Sequence, residues 1–201
     1  MTQYQHLTVL GDSITDQRNH YAHKWYYQWL AEWLTIPTIT NLGISGSTIA
    51  QPYDPMVERW QAIPESTDLL LIYAGVNDFG RDVPLGQFGD QSRATFYGAL
   101  QKLLGQITKR YPQATVYFIS HVHIGTDFFS AVNQGGYQQQ DYEQAIAQVT
   151  DLFGVQHISL FNESALSFAD AQQAAELSLD SLHPNDAGHE KIAQFLRTKI
   201  R

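Results

Sequence analysis

Residues 68–74 read DLLLIYA, and after the opening aspartate they are apolar without alternation. A strand with one wet face alternates. A strand covered on both faces does not, and such strands belong to parallel sheets flanked by helices. Shorter stretches of the same kind stand at 7–10, at 38–42, at Thr115–Ser120 and, more weakly, at 156–160. Helical patterns separate them. Residues 22–34 carry Trp25, Trp29 and Trp33 at four-residue spacing, with Tyr26, Leu30 and Leu34 beside them. Residues 92–111 hold Phe96, Leu100, Leu103, Leu104 and Ile107 in helical register, and Pro112 ends the pattern. Residues 137–153 and 186–200 complete the set, the last with Asn185 or Asp186 as its N-cap. Five strands alternating with helices predict an α/β fold around a five-stranded parallel sheet. No linker, repeat or biased tract divides the chain, so residues 1–201 are expected to form one domain.

In sheets of this kind ligands collect where the strands end, and polar motifs stand there. GDSIT at 11–15 follows the first strand, NLGISGST at 41–48 the second, and GVND at 75–78 the third. DSLHPN at 180–185 precedes the last helix. Alone, Ser13 reads as a helix cap, His183 as a surface histidine against Pro184, and Asp180 as a turn aspartate. Together they form a chemical set. A serine hydroxyl needs an adjacent base before it can attack a carbonyl. Pro184 biases His183 toward an extended backbone, which aims its imidazole at the strand ends. Asp180, three residues earlier, can reach the Nδ1–H of His183, fix its tautomer and stabilise the imidazolium as it forms. A glycine such as Gly43 lets its N–H approach a substrate closely, and Asn77 can offer a side-chain N–H. Gly46 and Thr48 are expected to be structural, and Asp12 and Asp78 to hydrogen-bond nearby loops. Gly75 is expected to turn the chain sharply away from the third strand.

The four blocks, in this order and spanning residues 11–184, resemble the SGNH hydrolases, also called GDSL esterases/lipases. The resemblance implies a flavodoxin-like three-layer α/β/α sandwich with strand order 2-1-3-4-5. It implies Ser13 as nucleophile, with His183 and Asp180 as the acid–base pair. It also implies an oxyanion hole made by the N–H groups of Ser13 and Gly43 and the amide of Asn77. The expected reaction is hydrolysis of carboxylic esters through an acyl-enzyme, with no metal and no organic cofactor. The expected substrate is a small molecule: a short-acyl ester or an acetylated carbohydrate. A thioesterase, lysophospholipase or transacylase of the same fold is the alternative. A non-catalytic flavodoxin-like module would show a glycine-rich phosphate loop after the first strand, and GDSIT offers a single glycine. A glycan-binding member without activity would lack one of the chemical positions, and all are filled.

Composition narrows the remaining classes. The chain has no cysteine, which removes disulfides, thiolate nucleophiles and cysteine-ligated metal sites. Twelve Lys and Arg against 20 Asp and Glu give a net charge of −8, a poor surface for nucleic acid. No apolar run approaches a membrane span, and the first apolar stretch is too short for a signal-peptide core, so a soluble, cytoplasmic protein is expected. His121 and His123 follow the fourth strand. A metal pair is the less favoured reading, and one of them lining the substrate pocket the more favoured. His189 reads as structural. The segments 79–91 and 125–140 are loop-length and carry Phe79, Phe88, Phe128, Phe129 and Tyr137. Those aromatics either bury one another or hold a sugar or a short acyl chain. Residues 162–179 form an extra segment with a short helix over 170–177.

Overall fold

The computed structural model describes residues 4–200. Its centre is a five-stranded parallel sheet in the order β2-β1-β3-β4-β5. The strands are β1 (His6–Gly11), β2 (Thr38–Gly43), β3 (Leu69–Tyr73), β4 (Thr115–Ser120) and β5 (Gln156–Ser159). The helices are α1 (Tyr26–Trp33), α2 (Met56–Arg59), α3 (Val76–Gly80), α4 (Phe96–Arg110), α5 (Gln139–Phe153), α6 (Leu160–Glu163), α7 (Ala171–Leu177) and α8 (Asp186–Lys199). Along β3 the side chains alternate between two cores, which is why its sequence shows no polar face. Leu70 and Ile72 join Leu10, Phe118, Phe96, Leu100 and Leu103 under α4 and α5. Leu69, Leu71 and Tyr73 join Leu7, Val9, Tyr26, Leu30, Ile192 and Leu196 under α1 and α8. The result is the three-layer α/β/α sandwich. By contrast β2 is an edge strand, half exposed along most of its length.

Several helices start later than their apolar pattern, each for a local reason. The N–H groups of His23 and Lys24 are spent on the carboxylate of Asp186, at 2.6 and 3.3 Å, so the chain cannot enter α1 until Trp25, whose N–H is capped by Gln28. Thr95 caps α4, accepting from the Gly98 N–H. Asn185, not Asp186, caps α8, accepting from the Gly188 N–H at 3.0 Å. α7 falls within residues 170–177 as expected, with Asp170 as its cap. Leu160 leaves the fifth strand and opens α6. Among the described residues no helix is long and apolar enough to cross a membrane.

The topology locates the site. From β1 the chain crosses to β2 on one side and returns to β3 on the other, so the order reverses beside the carboxyl end of β1. A crevice opens at such a reversal, and Ser13 lies two residues beyond Gly11.

Candidate active site

The turn after β1 is built from its own sequence. A side chain at Gly11 would collide with Thr15. The N–H groups of Thr15 and Asp16 return to the Asp12 carbonyl at 3.1 and 3.0 Å, and the Ile14 N–H goes to the Asp12 carboxylate at 3.0 Å. This tight turn raises Ser13 to the rim, where its carbonyl is held by the Asn19 amide at 2.7 Å. Ser13 Oγ stands 3.0 Å from His183 Nε2.

His183 arrives on the loop between α7 and α8. The Asp180 carboxylate meets His183 Nδ1 at 2.7 Å and the His183 N–H at 2.8 Å, so one side chain shapes both the loop and the imidazole. Burial works to raise the Asp180 carboxyl, but these contacts and the Leu182 N–H outweigh it, and the group lies below its ordinary value. Ser181 sits between them at φ +62°, an uncommon backbone for serine. It is fixed on both sides by the loop after β4: the Gly125 N–H donates to the Ser181 carbonyl at 2.9 Å, and Ser181 Oγ donates to Asp127 at 2.6 Å.

The rim opposite His183 carries the candidate donors. Asn77 lies in α3, which starts directly after Gly75 turns at φ +111°. Its amide donates one hydrogen to the Ser47 carbonyl at 3.1 Å, which orients the group and leaves the second hydrogen. Gly43 departs from expectation. Its N–H is already spent on Asn41 Oδ1 at 2.7 Å. Its missing side chain serves packing, since a Cβ there would stand 2.6 Å from the backbone of Thr15 and Asp16. Three residues on, Gly46 sits in a turn closed by the Ser47 N–H on the Ile44 carbonyl, at φ +79°. Among the described residues nothing accepts its N–H, and the same holds for the N–H of Ser13. Ser45, beside Gly46, is pinned by Asp16 at 3.0 Å, and Ser47 on the other side holds Asn77. The signal in the sequence was the flanking pair of serines, which makes 45–47 a turn that needs a glycine.

Beneath this rim lies a group the sequence did not flag. The Arg59 guanidinium donates to the carbonyls of Leu42 (2.5 Å), Gly11 (2.6 Å) and Asp54 (3.1 Å), and to Ser47 Oγ (2.9 Å). It thereby joins the ends of β1 and β2 to the Gly46 turn. Burial lowers Arg59 to about 10, with Asp12 and Asp54 working against that fall. Asp78, wholly buried, accepts the N–H groups of Ile49 and Ala50 at 2.8 and 3.0 Å. Asp12 and Asp78 are both driven up to about 7 by burial. The Ile14 N–H and Arg59 pull Asp12 back, and the Ala50 and Ile49 N–H groups pull Asp78 back.

The remaining histidines stand apart from a shared ligand. His121 is buried against Tyr73 and Phe168, and burial lowers it to about 4. His123 lies flat on Phe161, with ring centroids 3.6 Å apart. Among the described residues no group of three His, Cys, Asp or Glu is placed to hold a metal. His189 stacks on Tyr26, and burial lowers it to about 3.

Comparison with known proteins adds a second line. A model of the GDSL-like lipase/acylhydrolase family matches residues 9–191. No curated protein matches the chain in sequence. A crystal structure of a protein from Lactobacillus plantarum is 46% identical, with a TM-score of 0.95, covering 99% of this chain and 97% of that one. An acetylxylan esterase from Geobacillus stearothermophilus shares 19% identity and the fold, with a TM-score of 0.69 over 99% of this chain and 96% of that one.

Proposed function

Since the chain belongs to the GDSL-like lipase/acylhydrolase family and is an ester hydrolase, we propose that Ser13 is its nucleophile, His183 its base and Asp180 the partner of that base. The observation that carries this reading is the continuous line of contacts from Ser13 Oγ to His183 Nε2 (3.0 Å) and from His183 Nδ1 to Asp180 (2.7 Å). Ser13 Oγ bonds to the ester carbonyl carbon while His183 takes its proton. The carbonyl π pair moves onto oxygen, giving a tetrahedral oxyanion. That oxyanion meets the N–H groups of Ser13 and Gly46 and the free amide hydrogen of Asn77, a set in which Gly46 replaces Gly43. The C–O bond to the alcohol then breaks, and His183 returns the proton to the departing oxygen. Water repeats the sequence on the acyl-serine, and no cofactor enters either half. Asp180, held as a carboxylate, keeps the imidazole in the tautomer that can accept from Ser13.

The acyl group is short in this reading. Phe129 packs on Gly80 so closely that a side chain at Gly80 would strike its ring, which sets the loop after β4 against the end of α3. The same loop ties to the segment after β3 through Asn133 on the Phe79 carbonyl and Gln134 on Asp82. A long-chain enzyme gains ~0.8 kcal/mol per buried methylene from an apolar trench. The test is kcat/KM across p-nitrophenyl esters from acetate to palmitate, together with acetylated sugars. The expected maximum is at acetate or butyrate. A value that climbs steadily through the long-chain esters contradicts the short-acyl reading.

A further inference from the structure

His183 has two aromatic neighbours that the proposed chemistry does not use. Tyr21 lies with its ring centroid 4.7 Å from the imidazole, and Phe128 lies 5.2 Å away with its ring nearly perpendicular. They come from different loops, Tyr21 from the segment before α1 and Phe128 from the segment after β4. Both keep a large part of their surface in water, 41% and 50% respectively, although each has an apolar ring to bury. Each loop is also fastened to the reacting groups. The Tyr21 N–H goes to Asn19 Oδ1, and the other end of that Asn19 amide holds the Ser13 carbonyl. Phe128 follows Asp127, which receives Ser181 Oγ from the loop of Asp180 and His183.

The path of the proton fixes which part of the substrate lies beside these rings. The imidazole must return its proton to the leaving oxygen, so that oxygen lies within hydrogen-bond reach of His183 Nε2. The first atoms of the alcohol are then forced alongside the imidazole, whereas the acyl carbon and oxyanion face Gly46 and Asn77. We propose that Tyr21 and Phe128 form the alcohol subsite, and that it takes an alcohol with a ring face and hydroxyls, of the pyranoside class. The C–H face of such a ring packs on an aromatic face, so the rings of Tyr21 and Phe128, rather than the Tyr21 hydroxyl, carry the recognition. This rests on the reading of Ser13 and His183 given above and adds which side of the ester is recognised and by what.

The test holds the acyl group at acetyl and varies the alcohol. A methyl pyranoside monoacetate and ethyl acetate are compared in the wild type and in Tyr21→Ala, Phe128→Ala and Tyr21→Phe. The expected result is a fall of about tenfold in the ratio of kcat/KM for the pyranoside ester to that for ethyl acetate in each alanine variant, carried mainly by KM, with Tyr21→Phe close to wild type. An unchanged ratio overturns the proposal. So does a Phe128→Ala enzyme that gains only on longer acyl chains, which would place Phe128 on the acyl side. Calorimetric binding of the same pyranoside monoacetate to Ser13→Ala, with and without the aromatic substitutions, reads the subsite without turnover. Weakened binding there supports the subsite even if Ser13 proves not to be the nucleophile, and unweakened binding sinks it even if Ser13 is.

Discussion

The rim that carries Ser13, Gly46 and Asn77 is fastened from below by buried charge, whereas the loop that carries Asp180 and His183 is fastened from the side by short polar contacts near water. Under the rim, one guanidinium gathers three backbone carbonyls and a serine hydroxyl, and the Asp78 carboxylate gathers two N–H groups. Each of these groups is costly to bury, so none can relax without leaving a buried polar atom unsatisfied. On the other side Asp180 keeps 36% of its side chain exposed, and the loop rests on Ser181, Gly125 and Asp127. The contrast matches the two tasks. Oxyanion donors work by being fixed before charge develops. An acid–base group has to rock between the serine and the leaving oxygen, so small freedom costs it less.

The contrast can be broken in graded steps. Ser13→Ala removes the nucleophile common to both halves and should lower kcat by on the order of 10⁴–10⁶, in a protein with an unchanged melting temperature. Steady-state assay beside a thermal melt checks both statements. Asp180→Asn should lower kcat/KM by roughly 10³–10⁴, because an amide can present a donor where Nδ1 needs an acceptor. Because the contacts with His183 and Leu182 hold Asp180 below its ordinary value, the stability it contributes is present above the unfolded carboxyl value. That stability is lost only as the pH falls through the still lower folded one. The variant should therefore melt below wild type at neutral pH, and the gap should close in strong acid.

Asn77→Ala should lower kcat by roughly 10²–10³ with a smaller effect on KM, since the lost hydrogen bond strengthens as the carbonyl becomes an oxyanion. A variant that changed KM alone would move Asn77 to ground-state binding. Arg59→Lys keeps the charge but cannot span the same four acceptors. It should cost roughly 10- to 100-fold in kcat with KM held, through misplaced donors. A loss of stability with kcat unchanged would show that the rim does not depend on Arg59.

The smallest effect concerns Asp12. Its folded value is raised from 3.8 to about 7, so the proton is held more tightly folded than unfolded. The stability linked to that proton is complete below the unfolded value and is lost as the pH rises through the folded one. Asp12→Asn keeps an acceptor for the Ile14 N–H and mimics the protonated form. Its melting temperature should gain on wild type as the pH rises from acid to neutral and then level off. A difference independent of pH would contradict the assignment of a buried, raised carboxyl.

The legible part of this molecule was the part written in short-range pattern. The apolar run of β3 announced a two-faced sheet, and the polar blocks announced its working end. Asp180 and His183 could be paired from sequence because three residues of chain bring them together. The two glycines of the second block could not be separated that way. Whether Gly43 or Gly46 has a free N–H depends on where the Asn41 side chain lands, and that is a tertiary fact. Arg59 was silent for the same reason: a lone arginine in MVERW shows nothing of the three carbonyls and the serine hydroxyl that converge on it. The late start of α1 was hidden too, because the Asp186 carboxylate that takes the N–H groups of His23 and Lys24 comes from 163 residues further along.

The account stands or falls on Ser13 as an activated nucleophile. A fluorophosphonate that reacts only with activated serines, followed by peptide mapping by mass spectrometry, tests this most directly. One adduct per chain is predicted, located on Ser13 and absent from Ser13→Ala. An adduct mapped to another serine, or an active enzyme that takes no label at Ser13, would contradict it.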